Sequence, residues 1–256
     1  MRRISGVRLA ANGLVAALFA PVCAVCNTVL DEPLSGCVCE RCWMSILPIT
    51  PPLCDSCGDP LPRPVNLCAS CTGRGRIIQR ARAVGEYEGA LRHIVHALKY
   101  NGRRSLARPL AARMRASGSA LIENADCAVA VPLHWRREYQ RGFNQAHDLA
   151  RLLGLPMRTP LTRLRHTQPQ VELAAHHRHE NVRGAFGLRG SVLRRQQSVE
   201  GLKVLLVDDV STTGATLDAC AALLKTAGAS EVYALTAARV TATRGSGTNP
   251  HPDPLR

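Results

Sequence analysis

Aromatic side chains are scarce in this chain: two tryptophans, four tyrosines and three phenylalanines make up 4% of 256 residues. So few rings exclude a nucleic-acid platform built mainly on successive stacked bases. Lysine is nearly missing, present only as Lys99, Lys203 and Lys225, so the basic character is carried by arginine. Long apolar runs are missing too. No stretch of about 18 apolar residues occurs, and that excludes a transmembrane helix. Arg2 and Arg3 precede a brief apolar stretch, Leu14 to Ala20, which has the look of a short secretory leader. Leu14, Leu18 and Phe19 equally fit one face of an amphipathic helix, and residues 1–22 are expected to form one.

What is abundant is positive charge, and it is unevenly spread. The net charge is +14. Residues 1–75 hold six basic and five acidic side chains, a net of +1, while residues 76–256 hold 27 and 14, a net of +13. An arginine-rich proteome accounts for the choice of arginine over lysine but not for this imbalance. Charge of that density suits polyanions: nucleic acid, phosphorylated small molecules or acidic membranes.

Cysteine is unevenly spread as well. Nine of the eleven cysteines lie in the first 71 residues. Cys127 and Cys220 sit singly in apolar surroundings and read as core residues. Four C-x-x-C pairs stand in the first group: Cys23/Cys26, Cys39/Cys42, Cys54/Cys57 and Cys68/Cys71. Each pair forms a turn that points two thiolates at one ion, and two turns complete a tetrahedral Zn²⁺ shell. Residues 23–75 are therefore expected to be a double zinc ribbon holding two structural ions, with knuckles and short hairpins in place of a packed layer. Sequential and interleaved pairing of the turns both fit the spacing. Cys37 competes with Cys39 as partner of Cys42, and the C-x-x-C geometry favours Cys39. A four-cysteine shell leaves no open position for water, so these metals are not expected to be catalytic.

Beyond a polar linker at residues 72–80 the pattern changes to strands and helices. Ala81 to Tyr87 reads as a strand, and Gly89 to Tyr100 as a helix with Leu91, Ile94, Val95 and Leu98 on one face. A second helix is expected over Ser105 to Ile122, a buried strand over Cys127 to Val131, and a helix over Asn144 to Leu153. Arg158 to Arg195 is basic and weakly periodic. Val204 to Val207 then reads as a buried strand, Gly214 to Ala227 as a helix and Val232 to Ala237 as a strand. This last unit implies a parallel sheet with a right-handed crossover. Residues 241–256, with Pro250, Pro252 and Pro254, are expected to be a disordered tail.

The segment V-L-L-V-D-D-V-S-T-T-G-A-T, from Val204 to Thr216, is the most informative in the chain. A buried strand ends in two carboxylates, and a hydroxyl-rich turn with Gly214 opens a helix. Helix N-terminal N–H groups and the hydroxyls of Thr212, Thr213 and Thr216 make an anion cradle. Asp208 and Asp209 repel a phosphate, but they suit the hydroxyls of a sugar diol or a magnesium ion. Phosphate on one side and a diol reader on the other is what a 5-phosphoribosyl group needs. A response-regulator receiver domain also opens on a strand ending in two acids. Only 47 residues follow Asp209, though, too few for that fold, and T-T-G-A-T has no role in it.

The order of short motifs resembles that of the ComF competence-protein family. The motifs are L-F-A-P-V-C-A-V-C from Leu18, Leu98-Lys99-Tyr100, Val131-Pro132-Leu133-His134, Arg141-Gly142-Phe143-Asn144-Gln145, Thr167 with Gln170, then Arg178, Asn181 and Phe186, and finally the acidic pair with its threonine turn. The resemblance implies a type I phosphoribosyltransferase-like α/β fold, a parallel sheet flanked by helices, over residues 81–240 behind the double zinc ribbon. It implies a site for phosphoribosyl diphosphate (PRPP) with Mg²⁺. Asp208 and Asp209 would hold the ribose hydroxyls, and Thr212, Thr213, Gly214, Ala215 and Thr216 the 5′-phosphate. Val131, Pro132, Leu133 and His134 would form the diphosphate loop, and Arg136, Arg137 or Arg141 would neutralise the diphosphate; Lys99 is a weaker candidate for that role. For both acids to reach one ribose, the chain must turn at Asp209.

C-x-x-C pairs and a PRPP site suit a reducing compartment, so a cytoplasmic location is expected. The resemblance further implies a part in DNA uptake during natural transformation, with single-stranded DNA and an uptake machine or helicase as partners. The alternative is an active phosphoribosyltransferase of nucleotide metabolism with no DNA role. His134 to Arg195 holds twelve arginines against four acids, so DNA is expected on this half and not chiefly on the nearly neutral ribbons.

Overall fold

A computed structural model describes residues 6–73, 77–165, 184–190 and 197–241. Thr167, Gln170, Arg178, Asn181 and nearly all of the expected tail fall outside the described residues. Strand β1 (Arg80–Glu86) is followed by α4 (Gly89–Tyr100), which itself comes after three short N-terminal helices, α1 (Gly6–Phe19), α2 (Glu40–Met44) and α3 (Ala69–Thr72). Then come α5 (Ala107–Ser117), α6 (Ser119–Glu123), β2 (Cys127–Ala130), α7 (Trp135–Arg141), α8 (Gln145–Arg151), β3 (Met157–Arg158), β4 (Leu161–Arg163), β5 (Phe186–Leu188), β6 (Lys203–Ser211), α9 (Ala215–Thr226) and β7 (Glu231–Arg239).

Five strands form one parallel sheet in the order β1-β7-β6-β2-β3. β6 lies at its centre and is apolar on both faces, as a strand covered by helices on each side must be. Leu205 and Val207 join a core with α4, α5 and α8, while Val204 and Leu206 join a second core with α9. The expected helix over Ser105 to Ile122 is broken in two at Gly118, where the backbone presses against the Leu235 methyls of β7. The weakly periodic basic segment hides the antiparallel pair β4–β5, which sequence patterning missed because each strand has only three residues.

The zinc-ribbon segment does not stand apart. Cys23, Leu30, Val38 and Cys42 are buried in the same core as α4 and α5, and the Arg113 guanidinium lies 3.9 Å over the Trp43 ring. The segment also runs along the open edge of β1. Ala81 N–H donates to the Asp55 carbonyl at 2.9 Å, Glu86 N–H to the Leu47 carbonyl at 2.9 Å, and the Ser56 hydroxyl to the Ile78 carbonyl at 3.1 Å. Backbone groups of an edge strand need such partners. By contrast α1 turns its apolar residues outward: Leu14, Leu18 and Phe19 are 62, 67 and 75% exposed, while Asn12 is buried and accepts from Leu34 N–H.

Gly85 is where the ribbon meets the sheet. A Cβ there would lie 2.5 Å from the Leu47 carbonyl oxygen and 2.8 Å from an Ile46 methyl. Backbone cannot yield as a side chain can, so Gly85→Ala is expected to destabilise the chain by about 1–3 kcal/mol in urea unfolding. An unchanged midpoint would show that the contact between ribbon and sheet is not tight.

Candidate functional site

The eight paired cysteines converge on two points. Cys23, Cys26, Cys39 and Cys42 form one cluster and Cys54, Cys57, Cys68 and Cys71 the other, with the sulfurs of each within 4.8 Å of one another. Pairing is sequential. Sulfur separations of 3.8 Å for Cys26–Cys39 and 3.7 Å for Cys57–Cys68 match the edge, about 3.8 Å, of a tetrahedron with ~2.3 Å Zn–S bonds. Cys37 lies outside, its sulfur 3.9 Å from the Ser105 hydroxyl.

The two clusters repeat one local design. In the first, Cys23 N–H donates to Thr28 C=O, Leu30 N–H to Pro21 C=O, and Asn27 holds a left-handed φ of 57°. In the second, Cys54 N–H donates to Asp59 C=O, Leu61 N–H to Pro52 C=O, and Gly58 has φ 76°. Backbone N–H groups support the sulfurs: Val25 and Cys39 donate to Cys23 Sγ, and Cys68 donates to Cys54 Sγ. Thr28 hydrogen bonds hold the Cys26 thiol down to about 6, whereas burial pushes Cys42 and Cys57 well up and Cys71 to about 12. Four thiols so placed do not all ionise unaided, and a divalent cation supplies the compensating charge. The donor set and spacing fit structural zinc.

The second constellation lies at the C-terminal ends of β2 and β6, where ligands sit in open α/β sheets. β2 stops at Ala130, opposite Val207, and β6 runs on. Its ladder to β7 continues through Asp208↔Thr236 and Val210↔Ala238 to Ser211↔Arg239. The expected turn at Asp209 is therefore absent. Because no strand pairs with β6 on the β2 side beyond Val207, both carboxylates line the cavity from the projecting end.

Around them the cavity is lined by Val131, Pro132 and Leu133 of the loop after β2, by Thr212 and Thr216 of the threonine turn, and by four cations, Lys99, Arg137, Arg141 and Arg163. Arg163 comes from β4, and sequence reasoning had no pattern that singled it out. Tyr87, Tyr100 and Gln145 also line it and went unassigned in sequence; Gln145 stood within the Arg141–Gln145 motif but was given no role. Three expected residues shape the site without lining it. His134 is buried and accepts from Arg136 N–H to cap α7; Thr213 accepts from Ala215 N–H; and Gly214, at φ 82°, is the left-handed N-cap of α9. Only glycine adopts that φ without strain. Ala215 is buried behind the turn, and Arg136 projects outward over Trp135.

Lys99 is not the solvated helix end its position suggested. Its Nζ lies 3.0 Å from Asp209 Oδ1, with both side chains mostly shielded. Burial opposes the ammonium, but the Asp209 carboxylate outweighs it and raises the Lys99 pKa. Asp208 accepts from Asp209 N–H at 2.8 Å, yet burial, and then the Asp209 charge, push it up to about 7. Asn144 caps α8 as expected, accepting from Ala146 and His147, and its amide donates to the Val131 carbonyl, which pins the loop after β2. Arg141 donates to Gln145 Oε1 at 3.0 Å and lies 4.7 Å over Tyr100. The buried Gln145 Nε2 has no hydrogen-bond partner among the described residues, an orphaned donor at the cavity wall that an anionic oxygen would satisfy. Four cations, a hydroxyl turn and an orphaned amide fit a polyphosphorylated ligand. Two acids among them fit the diol or a Mg²⁺ ion that such a ligand carries.

The parallel sheet and the ribbon clusters define a phosphoribosyltransferase-type domain joined to a double zinc ribbon. A phosphoribosyl transferase domain model matches residues 140–251, and a double zinc ribbon domain model matches residues 14–72. The DNA utilization protein YhgH of Salmonella typhimurium is 36% identical over 190 residues, covering 70% of this chain and 81% of that one. Competence protein F of Haemophilus influenzae is 30% identical over 82% of this chain and 93% of that one. Competence protein ComFC of Bacillus subtilis is 29% identical over 79% and 84%. The chain belongs to the family of competence protein F and YhgH.

An Asp208 pKa raised to about 7 from the ordinary 3.8 means that ionisation costs folded-state stability. That cost is full above pH 7, shrinks as the pH falls from 7, and is gone below 3.8. Asp208→Asn keeps the acceptor for Asp209 N–H and removes the charge. It is expected to raise the melting temperature by several degrees at pH 8, and by less at each step down towards pH 4. A gain that does not vary with pH would mean Asp208 is not a strained carboxylate.

Proposed function

We propose that the chain binds 5-phosphoribosyl groups, with Mg²⁺-PRPP as the reference ligand, in the cavity at the end of β6, and that it does so in the service of handling single-stranded DNA. The observation that carries this is the convergence of opposite chemistries in one cavity: the Asp208/Asp209 pair against Lys99, Arg137, Arg141 and Arg163, with the threonine turn between. The acids read the ribose diol, the turn takes the 5-phosphate, and the cations with Gln145 take the diphosphate. The Lys99–Asp209 ion pair shields both groups until a ligand with its own hydroxyls and anions replaces each partner.

Relatives named for competence and for DNA utilization support the DNA role, as does the charge of the C-terminal half. The cytoplasm suits both the reduced cysteines and PRPP. An uptake machine or helicase is the partner expected for the nearly neutral ribbon half.

Calorimetric titration with Mg²⁺-PRPP is expected to give saturable binding to the full chain, abolished in the Asp208→Ala/Asp209→Ala double variant while its circular dichroism is retained. Binding that survives the double substitution would displace the site from β6.

For DNA, Arg103 and Arg136 are exposed, one three residues past Tyr100 and the other on α7. Each phosphate contact contributes about 0.7 to the salt slope of single-strand binding, so Arg103→Ala/Arg136→Ala should reduce that slope by about 1.4. Arg41→Ala/Arg63→Ala in the ribbons should leave it unchanged. The reverse pattern in fluorescence titrations would assign DNA to the zinc ribbons.

A further inference from the structure

Arg239 closes β7 and is only 5% exposed, among the most deeply buried charges of the chain. Its guanidinium faces two ways. Nε donates to Asp59 Oδ1 at 2.6 Å, and Nη1 donates to the Ser211 hydroxyl at 3.0 Å. Asp59 belongs to the second zinc ribbon, and its other oxygen is 3.7 Å from the sulfur of the ligand Cys57. Ser211 is the residue before Thr212, where the phosphate turn begins. The backbone of Arg239 takes part as well: its carbonyl accepts from Tyr87 N–H at 2.7 Å, and Ser211 C=O accepts from Val240 N–H at 2.9 Å. Tyr87 lines the cavity.

The first ribbon offers no counterpart. Where the second has Asp59, the first has Thr28, which contacts Cys26 Sγ at 3.1 Å and carries no charge. A four-thiolate zinc shell is doubly negative, and Asp59 adds a further charge beside it. Arg239 offsets that charge, and its position is thereby fixed by the ribbon. The planar fork of an arginine presents different nitrogens to the two partners, Nε to Asp59 and Nη1 to Ser211, whereas the donors of an ammonium all radiate from one atom.

We propose that Arg239 is a positioning residue that ties the second zinc ribbon to the phosphate turn, so that recognition of the 5-phosphate depends on a side chain of the ribbon that lies outside the cavity. This rests on the reading of the cavity as a 5-phosphoribosyl site. It assigns the ribbon a part in ligand binding as well as in folding.

The test uses the full chain and three variants: Ser211→Ala, Arg239→Lys and Asp59→Asn. Zinc content is measured by elemental analysis and ligand affinity by calorimetry, with Mg²⁺ and, in turn, PRPP, ribose 5-phosphate and inorganic diphosphate. Each variant is expected to keep two zinc ions and to bind PRPP and ribose 5-phosphate roughly threefold to tenfold more weakly, the range for losing one buried hydrogen bond, as in Ser211→Ala, or the charge or geometry that strengthens one, as in the other two. Affinity for diphosphate, which the reading assigns to the cations and Gln145, should match the parent. Asp59→Asn is the most telling, because that residue belongs to the ribbon and reaches the turn only through Arg239 and Ser211. Variants that bind ribose 5-phosphate as the parent does would overturn the link. So would a uniform loss of all three ligands in step with a fallen melting temperature, which is general structural damage. A parent protein that binds none of the three ligands would instead remove the reading of the cavity, and the link with it. Because Ser211→Ala is the mildest change, it keeps the outcome decisive if either ribbon-side variant fails to fold.

Discussion

Two adjacent carboxylates held at the projecting end of a buried strand repel each other, and much of the molecule is arranged to make that tolerable. Asp209 is paired with Lys99, which requires α4 to end where it does, with its last turn at the mouth of the sheet. Asp208 accepts from the Asp209 N–H, and burial with the Asp209 charge pushes its pKa up to about 7. Arginines from α7 and β4 complete a positive surround. The early end of β2 opens the space into which these groups point. A strand that pairs on both sides to its tip would leave no cavity and no reason for the acids.

The zinc ribbons answer a different constraint, the open edge of β1. A sheet built by crossover connections has two edges, and here one is roofed by a segment with little core of its own. That segment relies on metal for its shape and on α4, α5 and β1 for its burial. Chelation and packing therefore support each other.

The sequence was most readable where a local pattern carries the physics. Helix α4 matches its expected span from Gly89 to Tyr100, because Leu91, Ile94, Val95 and Leu98 fall on one buried face. The C-x-x-C pairs and the strand–acid–threonine run also read directly, since each is complete within a few dozen residues. Cavity residues that arrive from elsewhere did not. Arg163 sits on a three-residue strand, too short to show a period, and the weight of Lys99 depended on a partner 110 positions away in sequence. The helix break at Gly118 and the continuation of β6 past Asp209 to Ser211 depend on neighbours in space, Leu235 and strand β7. Local pattern cannot encode either.

At the far side of the sheet, β3 is a strand of two residues, preceded directly by Pro156 and followed after Thr159 by Pro160, so it offers little for another chain to pair with. β1 has seven residues, and its outer flank carries Arg80, Arg82 and the ribbon laid along it. Short edges and edge charges are the usual defences against strand-to-strand self-association. The ribbon that caps this edge takes its own shape from two four-cysteine clusters, so the cover of β1 is only as firm as its hold on metal. Metal in the ribbons thus acts at a distance as a guard on the sheet edge, a duty that neither cluster performs by itself.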